Sequence, residues 1–329
     1  MRRREFIAGL GGAASAWPLA ARAQKTERVR RIGILMPYPN SDAVIQARVQ
    51  VFRQELARLG WLAGRTVQFD ERWSTDDMDL VRADAAALVA RAPDVIFITS
   101  DRAIPVFTKL TRSIPIVVVL ATDPLGSGAV ESLARPGHNV TGFSNFELSL
   151  FGKMLETLQR LVPGVSRVGM LHNPDNPLGP AHLNAFATSA PRLAVQPLDL
   201  PIRDAAGIER AVAGMAEQPN GGILVAPDLT AFLHRAHLVA LAARDRVPAI
   251  YSNAVYTEAG GLISYGTDSV GLFRQSAGYV DRILRGEKAG ELPFQQPTTY
   301  QLVINLKTAA ALGLAVSPTL LTLADEVIE

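Results

Sequence analysis

The 329-residue chain is 48% hydrophobic and 19% charged, a balance that suits a globular protein with room for two α/β cores and does not suit a disordered one. It has no cysteine, which excludes disulfides, cysteine-ligated zinc, a thiol nucleophile and a lipidated cysteine. Its formal charge of +2 is not gathered into a Lys/Arg face interleaved with aromatics, and no run of 18 apolar residues occurs, so neither nucleic-acid binding nor a membrane-spanning helix is expected.

The first residues read as a targeting segment. Arg2 to Ile7 form a charged head, Ala8 to Ala20 a small apolar middle, and Ala21-Arg22-Ala23 an A-x-A site, with cleavage expected before Gln24. Paired arginines followed by Phe6 resemble a twin-arginine signal, and a basic head also suits the general secretory route. Removing Arg2, Arg3, Arg4, Arg22 and Glu5 takes the net charge from +2 to about −1. A periplasmic location is the expectation.

The elements then alternate. An apolar run, Ile32 to Met36, stops at Pro37-Tyr38-Pro39-Asn40, and Ala43 to Leu59 has helical spacing with Gly60 as its stop. Thr66 to Trp73 alternates as a strand, Met78 to Ala92 is an alanine-rich helix, and Val95 to Thr99, a helix from Ala103 to Leu110, and Ile116 to Leu120 continue the series. Arg135 to Ser144 holds a turn and a short β run before a helix Leu148 to Leu161. The scheme repeats as strand Val168 to Leu171, helix Pro180 to Pro191, strand Val195 to Leu198, helix Ala205 to Ala216, strand Ile223 to Val225, helix Phe232 to Arg244 and strand Ala249 to Tyr251. Gly260 to Gly266 is a further strand. Helix Ser269 to Arg285, a Pro-rich stretch Leu292 to Pro297, strand Thr299 to Ile304 and short helices end the chain.

Three echoes link the halves. Arg31-Ile32-Gly33-Ile34-Leu35 returns as Arg167-Val168-Gly169-Met170-Leu171, Val95 to Ile98 as Ile223 to Val225, and Ile114-Pro115-Ile116 as Val247-Pro248-Ala249. The expected fold is α/β, two Rossmann-like doubly wound lobes joined by a three-strand hinge. The lobes are expected over 24–143 plus 267–295 and over 144–266 plus 296–329, with hinge residues Phe143, Ser144, Tyr265 and Pro297.

In open parallel sheets ligands bind at the carboxyl ends of strands, where helix N-termini present free N–H groups. That rule selects Tyr38, Ser41, Ser100, Asp123, Asn173, Asp228 and Asn253, with Arg102 beside Ser100. Asp123 and Asp228 would hold a ligand ammonium, or would serve only as helix caps. Tyr38, Trp73 and Tyr251 would stack on a flat ligand or pack between helix and sheet. No G-x-S-x-G elbow, phosphate-binding P-loop or H-E-x-x-H motif occurs, and His234 and His237 lack a third ligand in register; no catalytic residue, cofactor or metal is expected.

The chain resembles the periplasmic substrate-binding proteins of ABC transporters in the tryptophan/tyrosine-binding-protein-like group, which have the type I periplasmic-binding fold. The resemblance is carried by Asp123-Pro124, Leu133-Ala134-Arg135-Pro136-Gly137, Asn139-Val140-Thr141-Gly142, Asn173-Pro174, Gly260-Gly261-Leu262, Ser264-Tyr265-Gly266, Gln296-Pro297-Thr298 and Val303 to Thr308. It implies a monomer that captures a small molecule, an amino acid or aromatic-type metabolite, between its lobes and delivers it to permease subunits in the inner membrane. A sensor subunit and an exported α/β enzyme are the alternatives. In place of the family's Gly/Ser/Thr-rich loop after the third strand this chain has Ser100-Asp101-Arg102, which puts the identity of the ligand in doubt.

Overall fold

The computed structural model describes residues 28–75, 77–99, 101–126 and 128–329. The targeting segment and Ser100 therefore lie outside the described residues.

Two sheets organise the molecule. The first has β1 (Arg30–Met36), β2 (Val67–Trp73), β3 (Val95–Ile98), β4 (Ile116–Ala121) and β5 (Val140–Ser144) in the order 2-1-3-4-5, all parallel. The second has β6 (Arg167–His172), β7 (Gln196–Pro201), β8 (Gly221–Val225), β9 (Ala249–Tyr251), β10 (Ile263–Thr267), β11 (Tyr300–Asn305) and β12 (Glu326–Ile328) in the order 12-11-10-9-8-6-7. Its pairs are parallel except β10 with β11.

Strands β6 to β10 thus repeat the order of β1 to β5, and the three sequence echoes fall on equivalent strands, β1 with β6, β3 with β8 and β4 with β9. These central strands are flanked by a strand on each side and covered by helices on both faces, which is why they read as continuous apolar runs. Even the last strands of the two series match. Gly142 on β5 lies against the Val118 carbonyl and Gly266 on β10 against that of Ser252, and neither position has space for a Cβ.

The helices follow the expected spacing with local differences. Ala43–Arg58 buries Ile45, Arg48, Val49, Phe52 and Leu56 along one stripe, and the Asp42 carboxylate caps it by accepting from Val44 N (3.0 Å) and Ile45 N (3.2 Å). The helix expected over Phe232 to Arg244 is two, Leu229–Leu233 and Arg235–Arg244, joined at His234. A short helix, Ala254–Glu258, follows β9 and was not expected. Strand β12 replaces the last of the expected terminal helices, because Glu326 to Ile328 pair with Val303 to Asn305.

The chain passes between the sheets after Ser144, after Thr267 and between Gln295 and Tyr300. The passages are tied together: Thr267 Oγ1 donates to Asn145 O (2.9 Å), Ser144 N to Gln295 O (2.8 Å) and Gln295 N to Gly142 O (2.8 Å). Tyr265, expected at a passage, lies two residues before it, inside the second sheet, registered with Leu302 and stacked on Tyr300 at 5.9 Å. Phe143 is fully packed in the first lobe against Tyr279 (4.7 Å), and Pro297 is buried just ahead of β11. Helix Ser269–Leu284 returns to the first lobe and packs on Ala43–Arg58, β4 and β5.

Candidate functional site

The carboxyl ends of both sheets face each other across a cavity of about 120 Å³ whose wall comes from both lobes and from the passages between them. The lobes are in contact around it. Arg48 Nη2 donates to Asn253 Oδ1 (3.2 Å), Asp42 Oδ2 pairs with Arg235 Nη1 (2.8 Å), and the Tyr38 and Phe232 rings meet edge to face at 5.5 Å.

On the first lobe, the loop after β1 brings Tyr38, and the helix that follows brings Arg48, a guanidinium only 4% exposed. Arg48 sits over the Phe232 ring at 5.7 Å, and its buried Nε–H has no acceptor. Burial lowers the Arg48 pKa. Among the described residues no carboxylate is close enough to pair with it. The turn after β3 supplies Asp101 and Arg102. Both Asp101 oxygens accept from Thr122 N (2.9 and 3.1 Å), yet burial outweighs these bonds and pushes its carboxyl up to about 6, with Asp123 adding repulsion. Leu120 also lines the wall. It holds a left-handed backbone, φ +64°, where the β4/β5 register slips between Val119 and Ala121.

On the second lobe, Asp228 is on the wall, but its Oδ1 accepts from Ala231 N and its Oδ2 from Asn173 N, both at 3.1 Å. Asn253 caps Ala254–Glu258 through Val255 N (3.2 Å) and gives its Nδ2 to Ser269 Oγ (2.7 Å). Tyr256 contributes ring surface, and burial followed by the nearby Asp228 raises its phenol well above the usual range. At the passage between lobes Asn145 reaches the wall with a buried Oδ1 that has no donor.

Of the residues expected at the site, Tyr38, Arg102, Asp228 and Asn253 line this cavity and five do not. Asp123 folds back to accept from Gly126 N (2.8 Å), a turn role. Asn173 is consumed locally, accepting from Asp175 N and donating to Thr230 Oγ1, both at 2.8 Å. Tyr251 is 1% exposed and stacked on Tyr256 at 4.9 Å, because β9 is a central strand and its side chain enters the core. Trp73, at the end of edge strand β2, packs half-buried on the first-lobe core. Ser41 is exposed and lines a separate groove at the outer rim of the lobe contact.

Sequence reasoning missed Arg48, Asn145, Phe232, Thr99 and Thr122 as wall residues. Arg48 left a signal. It stands in register with Ile45, Phe52 and Leu56, on the stripe a surface helix turns inward, where a charge is out of place unless it has work there. His237 Nε2 lies 3.0 Å from Glu209, and among the described residues no group of three or more candidate metal ligands forms.

Two doubly wound lobes, repeated in strand order and closing on a polar cavity at their strand ends, define the type I periplasmic-binding fold. Residues 36–328 match the family model of ABC transporter substrate binding proteins, and the chain belongs to that family. It is 23% identical over 292 residues to a tyrosine-binding protein of Clostridioides difficile, covering 88% of this chain and 82% of the relative. A conserved domain protein from Vibrio cholerae superimposes with a TM-score of 0.85 at 24% identity, over 91% of this chain and all of the other. An ABC domain from Streptococcus pneumonia in complex with L-Trp gives 0.84 at 24% identity, over 91% and 99%. A ligand-free, open substrate binding protein from Clostridium difficile gives 0.69 at 21% identity over the same shares.

Proposed function

We propose that this protein is the exported receptor of an ABC importer: it captures a small solute of the amino-acid or aromatic-metabolite type between its lobes and presents the closed form to permease subunits. The observation that carries the reading is the cavity itself, which has no complete wall until both lobes meet and which lies where each doubly wound sheet presents its loops. Tyr38 and Arg102, with Arg48, Asp101 and Asn145, are the contacts we assign to the solute, while Asp228 and Asn253 shape the opposite wall. The passages at Ser144, Thr267 and Gln295 act as the hinge, dividing the chain near the boundaries 24–143 plus 267–295 and 144–266 plus 296–329. The protein acts as a monomer in the periplasm after cleavage before Gln24, which Edman sequencing of exported protein would read directly.

The family and its relatives support binding over turnover. Calorimetry with L-tyrosine, L-tryptophan and other amino and aromatic acids, paired with small-angle scattering, tests capture. A saturating ligand is expected to contract the particle by rigid-lobe closure. Ligand bound with no change in a scattering curve that starts open would remove the closure, and chemical conversion of a bound ligand would remove the receptor reading.

A further inference from the structure

Of the four charged side chains on the cavity wall, Arg48, Asp101, Arg102 and Asp228, two of opposite sign, Arg48 and Asp101, have no ion-pair partner among the described residues, and the wall also carries two buried groups without hydrogen bonds, Arg48 Nε and Asn145 Oδ1. Arg48 is inside the protein with one hydrogen bond among the described residues, to Asn253, and a buried Nε–H that meets no acceptor there. The nearest acids do not neutralise it. Asp42 is engaged by Arg235 at 2.8 Å, and Glu258, like Asp42, acts on Arg48 only from a distance. The Phe232 face at 5.7 Å is a weak substitute for a counter-ion. A guanidinium taken out of water without an anion is unfavourable, and it is rarely left so unless an anion arrives.

Asp101 is the complement. Its carboxylate is pinned by Thr122 N, and among the described residues it has no cationic partner. The Thr122 hydroxyl and Asp123 N–H add weaker contacts, and three donors on two carboxylate oxygens still leave one acceptor position free. Close by in the wall, Asn145 Oδ1 is buried without a donor. Asn253 holds Arg48 and Thr122 holds Asp101, and the two do not pair with each other.

Resting on the capture reading above, we propose that the solute is an amino acid whose carboxylate is received by Arg48 and whose ammonium is received by Asp101 and Asn145 Oδ1. This assigns the ammonium to neither Asp123, which is not on the cavity wall, nor Asp228, each of whose oxygens serves a separate backbone N–H group. It also gives Asn145 a second task, since the same residue accepts from Thr267 across the hinge, so a ligand ammonium touches the passage that bends.

The test titrates purified protein by calorimetry with L-tyrosine, L-leucine and 4-aminobutyrate, then with the amine and the acid analogues of whichever binds tightest; for L-tyrosine these are tyramine and 3-(4-hydroxyphenyl)propionate. In the unaltered protein each analogue is expected to bind at least about 30-fold more weakly than the amino acid. In Arg48→Gln the amino acid and its amine analogue should converge to within about threefold, and in Asp101→Asn the amino acid and its acid analogue should converge likewise. Arg48→Lys should retain part of the preference, having the charge without the fork. Melting curves establish that each variant is folded, and should one fail, the analogue series on the unaltered protein reads the same contact. Equal affinity for amino acid and amine in the unaltered protein, or Arg48→Gln binding as before, overturns the assignment. Binding of the neutral probe myo-inositol with no amino acid bound overturns the assignment and leaves capture standing; no binding to any probe, with unchanged scattering, overturns both.

Discussion

The two walls of the cleft are built from equivalent strand ends, yet they use their polar groups differently. On the second lobe Asp228 and Asn173 spend their oxygens on backbone N–H groups, and Asn253 spends both ends of its amide on Val255, Arg48 and Ser269. On the first lobe Arg48 and Asp101 retain capacity directed at the cavity. The difference follows from where each residue stands. A polar residue just before a helix is claimed by that helix's orphan N–H groups. Arg48 comes later on its helix, where the backbone is already satisfied, and Asp101 opens a single 3-10 turn. One wall therefore spends its polar groups on scaffolding, and the other keeps capacity for the solute contacts proposed above.

The largest effect expected on stability comes from breaking the recognising wall at Asp101. Its folded pKa, about 6, lies above the ordinary 3.8, so its contribution to stability is complete below pH 3.8 and is lost as pH rises through 6. At pH 7.5 the buried charge costs on the order of 1–3 kcal/mol, and Asp101→Asn should melt higher there and gain nothing at pH 3.5. His182 works in the opposite sense. Buried to 1% among Phe146, Phe151 and His172, it is lowered to about 4, with His172 lowering it further and Asp123 partly offsetting this. Its contribution is complete above pH 6.5 and lost as pH falls through 4. The two windows overlap and nearly cancel in the unaltered protein. Removing the aspartate should expose the histidine, so the stability of Asp101→Asn should fall by about 2–3 kcal/mol between pH 6.5 and 4, followed by urea unfolding. A flat profile in that variant would mean His182 is solvated and titrates normally.

The scaffolding wall should respond differently. Asp228→Ala strips an acceptor from Ala231 N and another from Asn173 N, and should cost about 1–2 kcal/mol of stability. Ligand affinity should change by less than about threefold. An affinity loss as large as that of Arg48→Gln would show that this carboxylate also touches the solute and would erase the contrast between the walls. Asp123→Asn, outside the cavity, should do less on both counts.

The same contrast marks what the sequence could convey. The repeat was legible because buried parallel strands leave continuous apolar runs, and β1, β3 and β4 recur as β6, β8 and β9. Strand ends were legible too, and Tyr38, Asp228 and Asn253, chosen on that ground, lie on the cavity wall. Chain position, however, carries no information about which strand-end residue a cap consumes, and Asn173 and Asp123 were lost there. Tyr251 was misplaced because a three-residue strand leaves its inward and outward faces undetermined until its neighbours are known. Arg48 was overlooked, despite its place on the apolar stripe, for a different reason. A charge on a helix reads as solvent-facing, and this one is buried by the other lobe, from Phe232 and Asn253, more than 180 residues away in the chain. The left-handed Leu120 gave no sign, since that backbone normally calls for glycine.

The smallest effect belongs to the rim, where neither wall meets solute. Asp42 and Arg235 pair at 2.8 Å across the lobes, with side chains 9% and 18% exposed, and the bond exists only while the lobes touch. Such a pair contributes to closure and makes no distinction among ligands, so its loss should lower every affinity by the same factor. Asp42→Asn is the suitable change, because an asparagine oxygen still caps Val44 and Ile45 while the charge is gone; replacing Arg235 would also remove its contact with the Phe232 ring at 4.6 Å. A weakly exposed pair of this kind is worth about 0.5–1 kcal/mol, which corresponds to a two- to fivefold loss of affinity. The amino acid and its amine and acid analogues should all weaken equally, with their ratios preserved. A loss confined to the amino acid would place Asp42 in recognition instead of closure, and would give the first lobe a further charge in the site.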